Sequence, residues 1–336
     1  MAIRVLHVGL GPIGVGVVRQ CASRKGFKIV GAVDLDPAKI GKDLGEVADL
    51  GRSLKVKVEG RLGAAIKAGK PDVVVLCTSS SLAKVAEQVA DVLAYKLPIV
   101  STTEELAYPW FSNKRLAKKI DALARKAKVA VLGTGVNPGF TMDALPITLT
   151  GVCERVDSIR VERIQDASIR RLPFQQKIGA GLTPEQFAEK VQGGSVRHVG
   201  LTESVAMIAD AMGWKLDSIT DVIGPKIAQK PTRSQFLEVK KGQVAGIVQT
   251  GTGYNKDGQA LITLHMEAYL GAPESYDAVV VKGVPDLHMK IAGGVHGDIA
   301  TASITVNSIP KVLTAPAGLQ TMRSMVIPSW FGGKER

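Results

Sequence analysis

Cysteine, aromatic rings and long apolar runs are all scarce in this chain. Only Cys21, Cys77 and Cys153 carry thiols, and they are odd in number, widely spaced and set among apolar residues. That excludes a disulfide framework; reduced core thiols in a cytoplasmic protein are the expectation. Aromatic residues make up 4% of the chain, and no run interleaves them with basic ones. A base-stacking platform for single-stranded nucleic acid is thereby disfavoured. No apolar run is long enough to span a bilayer, and no internal repeat or low-complexity linker breaks the chain. The first residues run straight into a strand pattern without the charged, apolar and cleavage-site order of a secretory signal. Acids are outnumbered by bases, giving a net charge of +12, which by itself would attract polyanions. The densest basic run, Asn113 to Lys128, nevertheless keeps Leu116, Ile120 and Leu123 at helical spacing. Its lysines therefore read as the wet face of an amphipathic helix. Neither a nucleic-acid nor a membrane partner is expected.

What is present begins at Ile3, where an apolar run stops at Gly9 and a helical pattern follows Pro12. Gly9-Leu10-Gly11-Pro12-Ile13-Gly14 fits G-x-G-x-x-G. In that motif Gly9 permits the turn, Gly11 lets the backbone approach a pyrophosphate, and Gly14 lets helix and strand pack closely. Pro12 suits the first turn of a helix because its missing N–H would have had no intrahelical partner. A second strand, Lys28 to Val33, ends in Asp34, where a carboxylate can accept bonds from the adenosine ribose hydroxyls. Gly9, Gly11, Pro12, Ile13, Gly14 and Asp34 are therefore expected to bind a dinucleotide. Asp34 would repel a 2'-phosphate, so NAD is preferred; Lys39, whose flexible ammonium can reach a phosphate, leaves NADP open.

With 336 residues, 45% of them hydrophobic, the chain can bury two cores. Strands at Pro71 to Thr78, Leu97 to Ser101 and Val129 to Leu132 alternate with helical stretches from Leu82 and Leu116. This is the pattern of a doubly wound parallel sheet of Rossmann type. Ligands in such sheets sit outside the carboxyl ends of the strands, which selects three loops. Thr78, Ser79 and Ser80 can line the phosphates or nicotinamide ribose, or a serine can cap the next helix. Glu104 and Glu105 stand just past a strand end. A desolvated carboxylate there acquires a raised pKa and can act as a general base, whereas a surface pair at a helix start is the plain alternative. Asn137, in Gly133 to Phe140, offers a donor and an acceptor to nicotinamide or substrate, or simply forms a turn with Pro138 and Gly139.

Beyond Met142 the character changes. Helical patterns at Asp143 to Thr148, Pro184 to Gln192 and Glu203 to Met212 surround a strand at Val156 to Ile164. Alternating runs from Gln235 to Leu270, broken at Lys241-Gly242 and Asp257-Gly258, are hairpin signals. Two short runs, Ala278 to Val281 and Leu287 to Ile291, extend the sheet. The expectation is an α+β substrate and dimerisation domain with a mixed or antiparallel sheet, its edges covered by a second subunit. Residues 1–141 would form the dinucleotide domain, 142–298 the substrate domain, and 299–336 a helix and tail returning to the first. Two crossings between domains would permit hinge closure over substrate.

The segments GLGPIG, STTEELAYP, GTGVNPGF, DASIRRLPFQQKIG and GGVHGDIATASITVNSIP occur in this order. Together they resemble the 2,4-diaminopentanoate dehydrogenase and native amine dehydrogenase group, related in fold to dihydrodipicolinate reductase. The resemblance implies NAD(P)-dependent oxidative deamination of an amine-bearing carbon, reversible as reductive amination, with ammonia as the other product. It also implies a catalytic glutamate at the position matched by Glu104-Glu105; Glu105 is favoured and Glu104 held in reserve. The paired histidines and lysine-containing segment of dihydrodipicolinate reductase are absent, which disfavours reduction of a cyclic dihydropyridine.

Oxidising a carbon beside an amine needs the nicotinamide near that carbon, a neutral amine and water to attack the resulting iminium. A carboxylate can serve both proton transfers, and no metal is needed. The pair His265 and Glu267 lacks a third ligand. In Arg163 to Lys177, a guanidinium of Arg163 or Arg170 can bind a substrate carboxylate while Asp166 holds a second ammonium, with Gln175 nearby. That suits a diamino acid better than an alkyl amine; a charged loop at a subunit interface is the alternative. His198 is a further candidate for the substrate cleft. The competing functions are an amino-acid pathway reductase like dihydrodipicolinate reductase and a non-catalytic NAD-sensing regulator.

Overall fold

A computed structural model describes residues 2–333. It divides into two compact units: Met1–Phe140 with His296–Arg336, and Thr141–Val295.

The first unit begins with β1 (Ile3–Val8), α1 (Pro12–Ala22), β2 (Phe27–Val33), α2 (Leu44–Val47), β3 (Val58–Glu59) and α3 (Leu62–Gly69). It continues with β4 (Val73–Leu76), α4 (Leu82–Ala94), β5 (Ile99–Ser101), α5 (Lys114–Ala127) and β6 (Ala130–Gly133). All strand pairings here are parallel, and with β15 (Gly318–Gln320) the order is β15-β6-β5-β4-β1-β2-β3. β4, Val-Val-Val-Leu, is buried at every position, as a strand covered on both faces must be. α4 places Leu82, Val85, Ala86, Val89, Val92 and Leu93 in the core, and α5 buries only Ala117, Ile120 and Ala124. The lysines of α5 point to water, which accounts for much of the positive charge without a ligand. The order reverses between β1, which leads to β2, and β4 on its other side. That is where α/β sheets open a crevice.

The second unit holds α6 (Ala144–Thr150), β7 (Arg155–Asp166), α7 (Leu172–Lys177), α8 (Pro184–Gln192), α9 (Leu201–Met212) and β8 (Ser218–Ile227). Then come β9 (Thr232–Arg233), β10 (Glu238–Val239), β11 (Val244–Tyr254), β12 (Ala260–Tyr269), β13 (Tyr276–Val284) and β14 (Leu287–Ala292). Six strands form one sheet in the order β14-β13-β7-β12-β11-β8. It is mixed: β7 and β12 run parallel, from Ile159 opposite Ile262 to Asp166 opposite Tyr269, and the other pairings are antiparallel. The hairpin glycines Gly242 and Gly258 take positive φ, +88° and +75°. The first of the three alternating runs forms only the short β10, which pairs with β9 apart from the large sheet. α8 carries a full capping box between Thr183 and Gln186. Asp143 caps α6 and accepts a 2.7 Å bond from Ser204 Oγ, tying α6 to α9.

The chain then returns to the first unit as α10 (Gly297–Val312) and β15 (Gly318–Gln320). α10 packs on α1, and Pro310, which has no N–H to donate, falls in its last turn. Among the described residues no helix is long and apolar enough to cross a membrane.

Candidate active site

The three motif glycines have different neighbours. A methyl on Gly9, whose φ is +87°, would meet the Cys77 carbonyl oxygen at 2.5 Å, and one on Gly14 would meet the Gly9 oxygen at 2.0 Å. Those two glycines are required by the fold. A methyl on Gly11 would meet nothing within 4 Å. Gly11 is also the N-cap of α1, which has no side-chain cap and no acid in its first turn. Bare N–H groups at a helix start, beside a residue with open space, fit a pyrophosphate. Asp34 stands at the end of β2; its Oδ2 accepts from Leu10 N at 2.7 Å and its Oδ1 from Asp36 N at 2.9 Å. The carboxylate is thereby locked beside the glycine turn, where a ribose would lie. These residues fit a dinucleotide.

At the end of β4, Thr78 Oγ1 donates to Gln88 Oε1 at 2.7 Å, and Ser79 Oγ accepts from Ser81 N at 3.2 Å. The Ser80 carbonyl accepts from Glu105 N at 3.2 Å. Ser81 is the N-cap of α4 but contributes no side-chain cap. Glu105 does so instead: its Oε2 accepts from Leu82 N at 2.7 Å. The favoured base is thus engaged in capping a helix start, where the helix dipole also favours its charge.

Glu104 differs. Its Oε2 is buried and has no hydrogen-bond partner among the described residues. Glu104 opens a 3-10 turn, Glu104–Leu106, that lies against the end of β6. A methyl on Gly133 would come within 2.5 Å of the Leu106 carbonyl. Thr134 follows, its N–H donating to the Ser101 carbonyl at 2.8 Å. The Thr134 hydroxyl is likewise buried and unpartnered among the described residues. Nothing in the sequence distinguished Thr134 within its loop. Asn137, also buried, lies four strand-end residues beyond Gly133, after Val136, whose N–H is held by Thr301 Oγ1 at 3.3 Å.

In the second unit the arginine-rich segment is largely tied to its own scaffold. Arg163 is 3% exposed, ion-paired with Asp277, and donates to the Val295 carbonyl at 2.8 Å. Gln175 is fully enclosed: its amide donates to the carbonyls of Ala167 at 2.9 Å and Arg170 at 2.8 Å, and its oxygen accepts from Ser234 Oγ at 2.8 Å. Asp166 Oδ1 accepts from Ser168 N at 2.9 Å and Gly271 N at 3.1 Å, closing a loop. Arg170 is buried, donates to Gln165 Oε1 at 3.1 Å and stacks 4.1 Å from the Phe174 ring centroid. Arg163, Asp166 and Gln175, which the sequence offers as substrate-facing, are each held by partners within this unit. A buried guanidinium without its carboxylate would be costly, which explains the Arg163–Asp277 pair.

His198 is the exception. Gln249 clamps its backbone from both sides, at 2.8 and 2.9 Å, and is itself held by Asp221. The imidazole Nε2 is buried without a partner among the described residues. Burial pushes its pKa down to about 3, helped by the cations Lys177, Arg163 and Arg197. It is a neutral ring in a positive field. Burial also pushes the Cys21 and Cys77 thiols up, to about 12 and 11, so neither supplies a thiolate. Among the described residues no group of three or more His, Cys, Asp or Glu side chains is placed to share a metal ion.

Residues 3–133 match the family model for the dihydrodipicolinate reductase N-terminus. Residues 140–336 match the model for the 2,4-diaminopentanoate dehydrogenase C-terminal domain. The 2,4-diaminopentanoate dehydrogenase of Acetoanaerobium sticklandii is 35% identical over 345 residues, covering 99% of this chain and 96% of that protein. An amine dehydrogenase of Streptomyces virginiae is 24% identical over 218 residues, 63% of this chain and 60% of its own. Among solved structures, an amine dehydrogenase from Mycobacterium smegmatis has a TM-score of 0.87 at 25% identity, covering 99% of both chains. The protein is accordingly an oxidoreductase of the class that acts on CH–NH2 groups with a nicotinamide cofactor. By matches that run through both of its units, the chain belongs to the 2,4-diaminopentanoate dehydrogenase family.

Proposed function

We propose that the protein catalyses reversible oxidative deamination of 2,4-diaminopentanoate or a related diamino acid or amine, with Glu104 as general base and NAD as the preferred cofactor. The observation that carries this reading is Glu104 Oε2, buried just past β5 and unpartnered among the described residues. Leaving such an acceptor unsatisfied costs about 1–3 kcal/mol, a cost a bound amine or water offsets.

When bound, the nicotinamide supplies the hydride acceptor for the amine-bearing carbon. Glu104 takes a proton from the substrate ammonium, which frees the nitrogen lone pair to stabilise the developing iminium. The carboxyl group passes that proton to solvent; the restored carboxylate deprotonates the water that adds to that carbon and returns this proton to the nitrogen, so that ammonia leaves as the carbonyl forms. General-base help of this kind is worth about 10²- to 10⁴-fold. Thr134, buried one residue past β6, supplies a second polar group to orient the amine or the water. Gly9, Gly11, Pro12, Ile13 and Gly14 hold the pyrophosphate, Thr78, Ser79 and Ser80 flank the nicotinamide ribose, and Asn137 orients the nicotinamide or the substrate. Asp34 binds the adenosine ribose and disfavours a 2'-phosphate, which is why NAD is preferred.

A diamino acid is favoured over an alkyl amine because His198 holds a buried ring nitrogen, without a partner among the described residues, within a field of cations. A carboxylate suits that setting. The proposed assembly is a homodimer, since β8 and β14 are edge strands that a second copy would cover. Three free cysteines accord with a cytoplasmic setting.

The test is amine-dependent reduction of NAD+ across a panel of 2,4-diaminopentanoate, ornithine, lysine and simple alkyl amines. Turnover of the diamino acid with little of the alkyl amines supports the reading. Cofactor binding with no turnover of any amine contradicts it and favours a sensing role.

A further inference from the structure

The turn after β2 carries a cation that the general-base reading leaves without a role. Lys39 Nζ lies 3.6 Å from Asp34 Oδ2 and 3.3 Å from Asp36 Oδ2, and its side chain is only 28% exposed. Lysine at a surface turn ordinarily extends into water. Here the backbone folds it back: the Asp36 carbonyl accepts from Lys39 N at 2.9 Å and Ile40 N at 3.2 Å, and Gly41 N is tied to the Val58 carbonyl at 2.9 Å. Asp36 Oδ1 secures the same turn through Ala38 N at 2.9 Å. Asp34 does not need Lys39 for its own satisfaction, because Leu10 N and Asp36 N already donate to its two oxygens.

We propose that Lys39 is a cofactor-specificity residue, the group that receives the 2'-phosphate of NADP and so allows this NAD-preferring site to bind both dinucleotides. The inference rests on the dehydrogenase reading for its purpose, but on the Asp34–Lys39–Asp36 cluster for its content. With NAD, Asp34 accepts from the ribose hydroxyls and the ammonium stays between the two carboxylates. With NADP, the ammonium, on a flexible four-carbon stem, exchanges Asp36 for a phosphate oxygen, and its charge offsets the repulsion from Asp34. The residue after Asp34, Leu35, is 79% exposed and carries no charge, so it cannot take this part. Asp36 then acts as a competitor for Lys39, which gives the proposal a second, opposite prediction.

Fluorescence titration of the full-length protein with NADH and NADPH tests this without any amine. Lys39→Ala is expected to raise the ratio of the NADPH to the NADH dissociation constant at least about tenfold, the scale of one charge-assisted bond. Asp36→Asn, which keeps an oxygen for Ala38 N, is expected to lower that ratio severalfold. In steady-state turnover the Lys39→Ala change should fall on KM for NADP, with kcat retained. Equal weakening of both dinucleotides in Lys39→Ala would make Lys39 a mere support of the turn and overturn the proposal, as would a wild-type protein that does not bind NADPH. Selective loss of NADPH binding in a protein inactive on every amine would sustain Lys39 and count against the amine reading alone.

Discussion

Glu104 and Glu105 are adjacent in the chain, but among the described residues a partner is found for the carboxylate of Glu105 and not for the buried oxygen of Glu104. Glu105 returns to the start of α4 and accepts from Leu82 N at 2.7 Å, replacing the cap that Ser81 does not provide. Truncation there should cost about 1 kcal/mol, the usual loss of an N-cap. Glu105→Ala is therefore expected to melt a few degrees lower while keeping kcat within severalfold of wild type. An unchanged melting temperature with a collapse in kcat would reverse the roles of the two acids. The sequence placed both glutamates correctly at a strand end but could not separate them. The choice depends on a 3-10 turn whose position is fixed by the approach of Leu106 to Gly133, a contact between distant parts of the chain. The arginine-rich segment was opaque for the same reason. The partner of Arg163 is Asp277, more than a hundred residues away, and nothing local to Arg163 signals it.

At the scale of elements, the glycine turn was legible because its chemistry is local. Gly9 and Gly14 are demanded by backbone contacts, and Gly11 is not. The three should respond differently to mutation. Gly14→Ala forces a methyl into the Gly9 oxygen and should destabilise by about 1–3 kcal/mol or more. Gly11 has φ −69° and ψ −177°, a conformation open to any residue. Gly11→Ala should leave stability equal or higher, by up to about 1 kcal/mol, yet weaken NADH binding at least about tenfold. Denaturant unfolding alongside NADH titration checks both; a Gly11→Ala protein that binds NADH like wild type would remove Gly11 from the pyrophosphate site. Elements that escaped the sequence reading were short or irregular. β3 has two residues, β15 has three, and β8 carries Gly224 and Pro225 in an otherwise alternating run. Proline is tolerated there because β8 is an edge strand.

For the whole molecule, acid stability should be set in part by two buried histidines, one in each unit. Burial pushes the pKa of His7, on β1, down to about 3, like that of His198. Because the folded value lies below the unfolded one, the unfolded chain binds a proton first as pH falls. Stability is then complete above about pH 6.5 and declines through the window from 6.5 to 3. Each histidine contributes about 1.4 kcal/mol per pH unit within it, or about 2 kcal/mol at pH 5. Urea midpoints measured between pH 7 and pH 5 should fall, and His7→Leu should flatten that fall for the unit containing β1. An identical slope in wild type and His7→Leu would mean that His7 is not held neutral. The function rests on a narrower point, the open carboxyl oxygen of Glu104. Its most direct test is kcat for amine-dependent NAD+ reduction in Glu104→Gln and Glu105→Gln, assayed side by side with NADH affinity as a control. A loss of about 10²- to 10⁴-fold is expected in Glu104→Gln alone, with NADH affinity kept. Full activity in Glu104→Gln would contradict Glu104 as the base.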